Sequence, residues 1–278
     1  MSAAVFKTVR APYAWGWMVR LHPSSATAST APMLKPAKIA LGLALAATAL
    51  GISAIMARSL PAAALLGWTA IACALTAWAY ATNQPAIHGK RAGRLGWRSL
   101  ATLPFLACYR LACPLLHAIH HHNERLTHIG SGIHVGGRLL PADLPEGKPA
   151  ILDLTAEVNE HPEIRCLPGY RQLAALDGHL PRDEDLLATL RSLARVTAPV
   201  VIHCESGRGR APTVAAALLM MRGMAFSIEE ALERVGARRI IAPTRSDRLA
   251  LERLMPRLLV ARPESHTERS AERGGAVA

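Results

Sequence analysis

The residues best suited to chemistry lie between 199 and 211. An apolar, β-branched run, Pro199–His203 (PVVIH), leads directly into Cys204-Glu205-Ser206-Gly207-Arg208-Gly209-Arg210, and an apolar stretch with helical character follows. A loop between a strand and a helix, with glycines at 207 and 209, can curl so that successive backbone N–H groups point into one concavity. With the positive end of the next helix it forms an anion site. Cys204 heads that loop, under the same field, where a thiol gives up its proton readily. Arg210 closes the ring with a planar fork able to hold two phosphate oxygens. The product is a thiolate aimed at the phosphorus of a bound phosphate monoester. A lone cysteine would be read as a small buried hydrophobe, and the two glycines as a turn. A Cys and an Arg framing five residues, with His203 in front, argue for the chemistry instead.

His203–Arg210 (HCESGRGR) resembles the HCxxGxxR signature of the protein-tyrosine phosphatase superfamily. The surrounding spacing, over about residues 128–260, is similar to the dual-specificity branch. The resemblance implies a cysteine-dependent phosphatase that needs no metal or other cofactor. It implies Cys204 as nucleophile, and the backbone amides of Glu205, Ser206, Gly207, Arg208, Gly209 and Arg210, with the Arg210 side chain, as phosphate cradle. His203 would support Cys204 from behind. The chemistry also needs a general acid to protonate the leaving oxygen. Tyr170–Asp177, followed by Pro181, is similar to the family's Y…D…P stretch, and Asp177 stands 27 residues before Cys204 among loop-forming neighbours. Asp183 is the rival, but it reads as part of a helix start. Asp153–Glu157 resembles a family segment at a strand end and is read as scaffold.

One position departs from the pattern. The family carries Ser or Thr directly after the arginine, where this chain has Ala211, so the hydroxyl that supports the departing thiolate is missing. Turnover suffers from that more than phosphate binding does. Two other functions compete with the phosphatase: a catalytically weak phosphate-binding module, and a rhodanese-like sulfurtransferase, which also places Cys at the head of an anion-cradling loop. The Tyr170–Asp177–Pro181 segment has no role in the latter. Lipid-specific relatives often place Lys after the nucleophile; Glu205 stands there instead, while Arg208 acts in the opposite sense. The substrates expected are a phosphorylated protein or a singly phosphorylated lipid.

The elements that must position this loop read as α/β. Strands are expected at Gly132–Val135, Ala150–Leu154 and Pro199–His203, and helices at Pro181–Val196, Arg210–Arg222, from Ser227 to Val235, and at Thr244–Leu259. Asp183, Glu184 and Asp185 fall in a first helical turn, where the helix dipole favours acids. Ser227 and Glu230 have the spacing of a capping box. Strands alternating with helices imply a mainly parallel central sheet flanked by helices.

The N-terminal third is different in kind. Residues 1–123 contain no Asp or Glu and eleven Lys or Arg, whereas the remaining 155 residues carry 21 basic and 20 acidic side chains. The net charge of +12 therefore belongs almost wholly to the first third. Its basic residues flank apolar runs, which favours a membrane as partner over nucleic acid. Ile39–Ala57 is 19 residues without a charge, and Leu60–Thr82 is a second such run of 23, separated by Arg58–Ser59. Since about 20 apolar residues cross a bilayer, a transmembrane helical hairpin is expected before the catalytic domain. The positive flanks place both ends in the cytoplasm. Ser99–Ile119 carries a central Arg110, which costs roughly 3 kcal/mol inside a bilayer, so it is read as a helix in the interface. The cluster His117, His120–His122 and His128 has no Cys or carboxylate at ligand spacing and is read as a solvated stretch, not a metal site. Five cysteines, three of them in the apolar third, do not make a disulfide framework. The expected divisions are a basic tail at 1–36, the hairpin at 37–84, a juxtamembrane stretch at 85–127, the catalytic domain at 128–262 and a polar tail at 263–278.

Overall fold

Two long uncharged runs separated by two residues satisfy their backbones without water as a pair of helices. The computed structural model, which describes residues 33–119 and 125–260, shows this hairpin as α1 (Lys35–Met56) and α2 (Leu60–Thr82). Both are long and apolar enough to cross a membrane. The readings of the two tails beyond 33–260 and of His120–His122 fall outside the described residues. Helix α1 begins at Lys35, four residues before the charge-free run. Pro36 in its first turn is the start signal, because proline there gives up no hydrogen bond that the helix would have made. Absence of charge marks what can enter lipid, not where a helix starts. At the other end Asn83 takes a left-handed conformation (φ 51°) and stops α2.

The chain then makes a 3₁₀ turn, Pro85–His88, and a small hairpin of β1 (Lys90–Arg91) and β2 (Arg94–Leu95). Ala92 and Gly93 both have positive φ, as a two-residue β-hairpin turn requires. A further 3₁₀ stretch, Trp97–Thr102, runs into α3 (Leu103–Ile119). Trp68 of α2 donates its indole N–H to the Leu100 carbonyl at 3.1 Å, so this stretch packs back along the hairpin.

The second half forms the α/β domain. In chain order it contains β3 (Leu126–Gly130), β4 (Ile133–Gly136), β5 (Ala150–Thr155), α4 (Pro162–Arg165), β6 (Tyr170–Ala175) and α5 (Asp183–Ala194). Then come β7 (Val200–His203), α6 (Arg210–Met221), α7 (Ile228–Gly236) and α8 (Arg245–Val260). The sheet order is β3-β4-β7-β5-β6, parallel throughout except that β3 runs antiparallel to β4. The expected mainly parallel sheet is therefore present. Its middle strand is β7, every residue of which is buried, with Asp153 of β5 and Gly136 of β4 in register with His203 on either side.

Helix α6 is buried along its whole length, which is why its sequence is apolar on all faces. Ser227 accepts a hydrogen bond from the Glu230 N–H at 3.1 Å, as the spacing predicted, while the Glu230 carboxylate reaches back to the Phe226 N–H at 2.8 Å.

Besides the short β1 and β2, two strands of the central sheet were not anticipated. β6, with Arg171, Gln172 and two alanines, has little strand propensity of its own; pairing with β5 makes it a strand. β3 is likewise an edge strand, defined by its partner β4.

Candidate active site

Cys204 leaves the carboxyl end of the central strand, and its backbone N–H is still held by the Gly136 carbonyl at 3.3 Å. Its side chain is 1% exposed, and its sulfur accepts the N–H of Gly207 at 3.3 Å, so the loop does fold back over the thiol. Gly207 has φ +65°, and a Cβ there would lie 2.5 Å from the backbone of Gly136 and Gly137, so the position admits only glycine. Ser206 and Arg208 are half-buried, and the Arg208 carbonyl accepts the Ala242 N–H at 2.7 Å. Gly209 is the N-cap of α6, so the helix begins at Arg210 and directs its positive end into the loop. Arg239 clamps the far side, donating from Nε to the Gly207 carbonyl at 2.7 Å and from Nη1 to Thr127 at 3.0 Å.

Arg210 is buried, and one nitrogen of its fork, Nη1, is fixed. It donates to the carbonyls of Ala175 and Leu154 and lies 3.3 Å from Glu157 Oε2. Burial alone would weaken its hold on its proton. The charges of Glu157 first, then Cys204, Tyr109 and Asp177, outweigh burial and raise its pKa well above the ordinary value. Of these groups, Glu157 is in direct contact with the guanidinium. Removing one partner of such a buried pair costs about 3–5 kcal/mol, because the other charge is left uncompensated.

Asp177 follows β6 and is partly exposed, with Lys35 Nζ 2.6 Å from its Oδ2. Burial would raise its pKa, but Arg210 and Lys35 prevail and hold it below the ordinary carboxylate value. Asp183, the rival acid, sits in the first turn of α5 and forms a two-point ion pair with Arg253 at 2.6 and 2.7 Å. That is the behaviour of a surface acid at a helix start.

Behind the loop, His203 Nε2 lies 3.1 Å from Glu160 and 3.9 Å from Asp153. Asp153 is fully buried and accepts from Lys90 Nζ at 2.6 Å, from the Tyr170 hydroxyl at 2.6 Å and from the Thr155 N–H at 2.7 Å. Burial would raise its pKa, yet the charges of His203 and Lys90 and the bonds from Lys90 and Tyr170 lower it. Asp153, Glu160 and His203 place donor atoms within 4.8 Å of one another, a spacing that could hold a metal. The Lys90 ammonium already supplies the positive charge such an ion would bring. Glu205 is buried beside the loop, and burial raises its pKa. At the expected position of the missing hydroxyl, Ala211 is fully buried, and the nearby Thr213 hydroxyl is committed to the Gly209 carbonyl at 2.8 Å.

A family model described as "Swiss Army Knife protein, DSP-PTPase phosphatase domain" matches residues 153–258, from β5 through α8. Residues 153–258 are thus similar to a dual-specificity phosphatase domain. A phosphatase domain of this kind is a phosphoric monoester hydrolase. No curated protein matches the chain. Among solved structures, PTPMT1 in complex with PI(5)P is 18% identical over 49% of this chain and 98% of its own, with a TM-score of 0.39. Tk-PTP in its active form is 29% identical over 48% of this chain and 97% of its own, at 0.40. Human DUSP28 is 18% identical over 49% and 95%, at 0.38.

Sequence reasoning singled out Cys204, Arg210, His203 and residues 205–209, which one strand–loop–helix holds together, and Asp177, which lies in the turn after β6. It missed Glu157 as the partner of Arg210, Arg239 as the clamp on Gly207, Lys90 as the cation on Asp153, and Lys35. A Glu two residues beyond a buried strand was a faint signal for the first. Nothing local marked the other three.

Proposed function

We propose that the chain is a membrane-anchored phosphatase that hydrolyses phosphate monoesters through a phosphocysteine. The observation that carries this reading is the Cys204–Arg210 loop, closed over the thiol, capped by a helix N-terminus and backed by an arginine locked to Glu157. In the first step the Cys204 thiolate attacks phosphorus, the bond to the leaving oxygen breaks, and the Asp177 carboxyl gives that oxygen its proton. In the second, the Asp177 carboxylate takes a proton from water as the water oxygen attacks phosphorus. The sulfur–phosphorus bond breaks, inorganic phosphate departs and the thiolate is restored. Backbone amides of 205–210 and the remaining face of the Arg210 fork bind the phosphoryl oxygens in both steps. His203, braced by Glu160, fixes the strand end from which Cys204 projects.

The hairpin α1–α2 serves as the anchor, with both ends and the catalytic domain on the cytoplasmic side according to the basic flanks. A phosphatase held there meets phosphate monoesters on membrane proteins or on lipid headgroups. The solubilised protein should hydrolyse at least one of phosphotyrosine peptide, phosphatidic acid and phosphatidylglycerophosphate, with inhibition by vanadate, a mimic of five-coordinate phosphorus. The Ala211 site favours a second reading, a slow phosphate-binding module. Binding without turnover of any of the three would decide for it.

A further inference from the structure

The acid loop does not stand free of the anchor. Leu176 is fully buried in a cluster with Ala79 and Tyr80 of α2, against which Ile39, Ala40 and Leu43 of α1 also pack. Asp177 is paired with Lys35 at 2.6 Å. Gly178, at φ +82°, has Lys35 and Pro36 at van der Waals distance from where a Cβ would stand, 3.3 and 3.4 Å away. His179 Nε2 is 2.8 Å from the Tyr80 carbonyl, and the Leu180 carbonyl accepts from Asn83 Nδ2 at 3.2 Å. Leu176, Asp177, His179 and Leu180 each touch the base of the hairpin, and a side chain at Gly178 would crowd Lys35 and Pro36. An isolated ion pair at this exposure would contribute little. Here it is one of four contacts that fix a single loop.

We propose that Lys35 is a positioning residue for the general acid, and that the base of the membrane hairpin forms one wall of the active site. The proposal rests on the reading of Asp177 as that acid. Lys35 holds the carboxylate by its charge, while Pro36, Tyr80 and Asn83 fix the backbone on either side, so the hairpin both anchors the enzyme and completes its acid.

The groups facing Asp177 come from five directions: Lys35 on α1, Tyr80 on α2, Arg210 on α6, Asp247 on α8, and His179 on its own loop. Burial lowers the pKa of His179, which is thus neutral at neutral pH, and burial raises that of Asp247. Among the described residues, Arg210 and Lys35 are the cations that lower the pKa of the carboxylate. Arg210 is needed for phosphate, which leaves Lys35 as the one that can be changed without touching the cradle.

The test is the pH profile of kcat/KM for the full chain in detergent, measured with an alkyl phosphate whose poor leaving group makes proton donation count. The falling limb of that profile reports loss of the acid's proton. Lys35→Met removes a cation from beside the carboxyl, which then keeps its proton to higher pH, so the limb moves in the alkaline direction. Lys35→Arg restores its place, and Leu45→Ala, on the exposed flank of α1, leaves it unmoved. In an Asp177→Asn background the Lys35 effect vanishes. A limb that stays in place in Lys35→Met, while Asp177→Asn abolishes it, overturns the proposal and leaves the acid assignment standing. A limb that survives Asp177→Asn removes the acid assignment and the proposal together.

Discussion

Residues 203–210 and residues 176–180 supply the two halves of one proposed reaction, and they are held in opposite ways. The phosphate loop takes its shape from adjacent elements, a strand that ends at His203, a helix that starts at Arg210 and a glycine whose N–H reaches back three residues to the thiol, and Arg239 clamps it from outside. The acid loop has one internal bond, from the His179 N–H to the Leu176 carbonyl at 3.0 Å, and no strand or helix starts or ends within it. Its carboxylate is tied to a lysine 142 positions earlier, and its backbone to the end of α2. A cradle for phosphate can thus be written into eight consecutive residues, whereas the placing of an acid beside it is delegated to whatever packs nearby. In this chain that neighbour is the hairpin.

Predictions follow from how hard each half can be struck. The largest effect is expected in the acid loop. Asp177→Asn should lower turnover of alkyl phosphates by roughly 10²–10⁴-fold, the range of general acid catalysis, and affect aryl phosphates far less. Rates plotted against leaving-group pKa would show a steeper dependence in the variant. If Asp183→Asn shows the steeper dependence and Asp177→Asn does not, the wrong loop has been named as the acid's home.

In the cradle, Arg210→Lys should cost about 10²–10³-fold, the scale for one preorganised donor to a transition-state oxyanion. An ammonium cannot form the fork, nor hold Ala175, Leu154 and Glu157 while facing phosphate. Steady-state kinetics near those of the native enzyme would mean that the fork does not face the substrate.

A smaller effect sharpens the comparison from inside the cradle. A hydroxyl at 211 would donate to the departing thiolate, and a hydrogen bond to a charged group contributes about 1.5–3 kcal/mol. Ala211→Ser should therefore raise the steady rate by roughly one to two orders of magnitude. It should also shrink a burst of leaving group that the native enzyme shows as phosphocysteine accumulates. Absence of a burst, with no gain from serine, would show that breakdown of the intermediate is not limiting.

The same contrast decides what the sequence could reveal. The strand–loop–helix around Cys204 was legible because its determinants are adjacent, and the hairpin because lipid solubility is a property of a continuous run. Edge strands β3 and β6 were not, since each is a strand by virtue of the neighbour it pairs with. The supporting side chains were hidden for a related reason. Lys90 meets Asp153 across 63 positions, Glu157 meets Arg210 across 53, and Arg239 meets Gly207 across 32. No local pattern announces such pairs, because each is fixed only when β5, β7 and their flanking segments come together. The stretch 85–127 illustrates the point. Its composition spoke of a membrane surface, yet Lys90 within it enters the domain and neutralises a carboxylate behind the catalytic strand.

The central claim is that phosphate passes through Cys204, and rapid acid quench of the full chain with a ³²P-labelled phosphate monoester tests it most directly. Native enzyme should yield protein-bound label with the acid stability of a thiophosphate, mapped to the peptide containing Cys204 and absent from Cys204→Ser, which should also lose hydrolysis. Hydrolysis that persists in Cys204→Ser, or label that forms on another residue, would contradict the account.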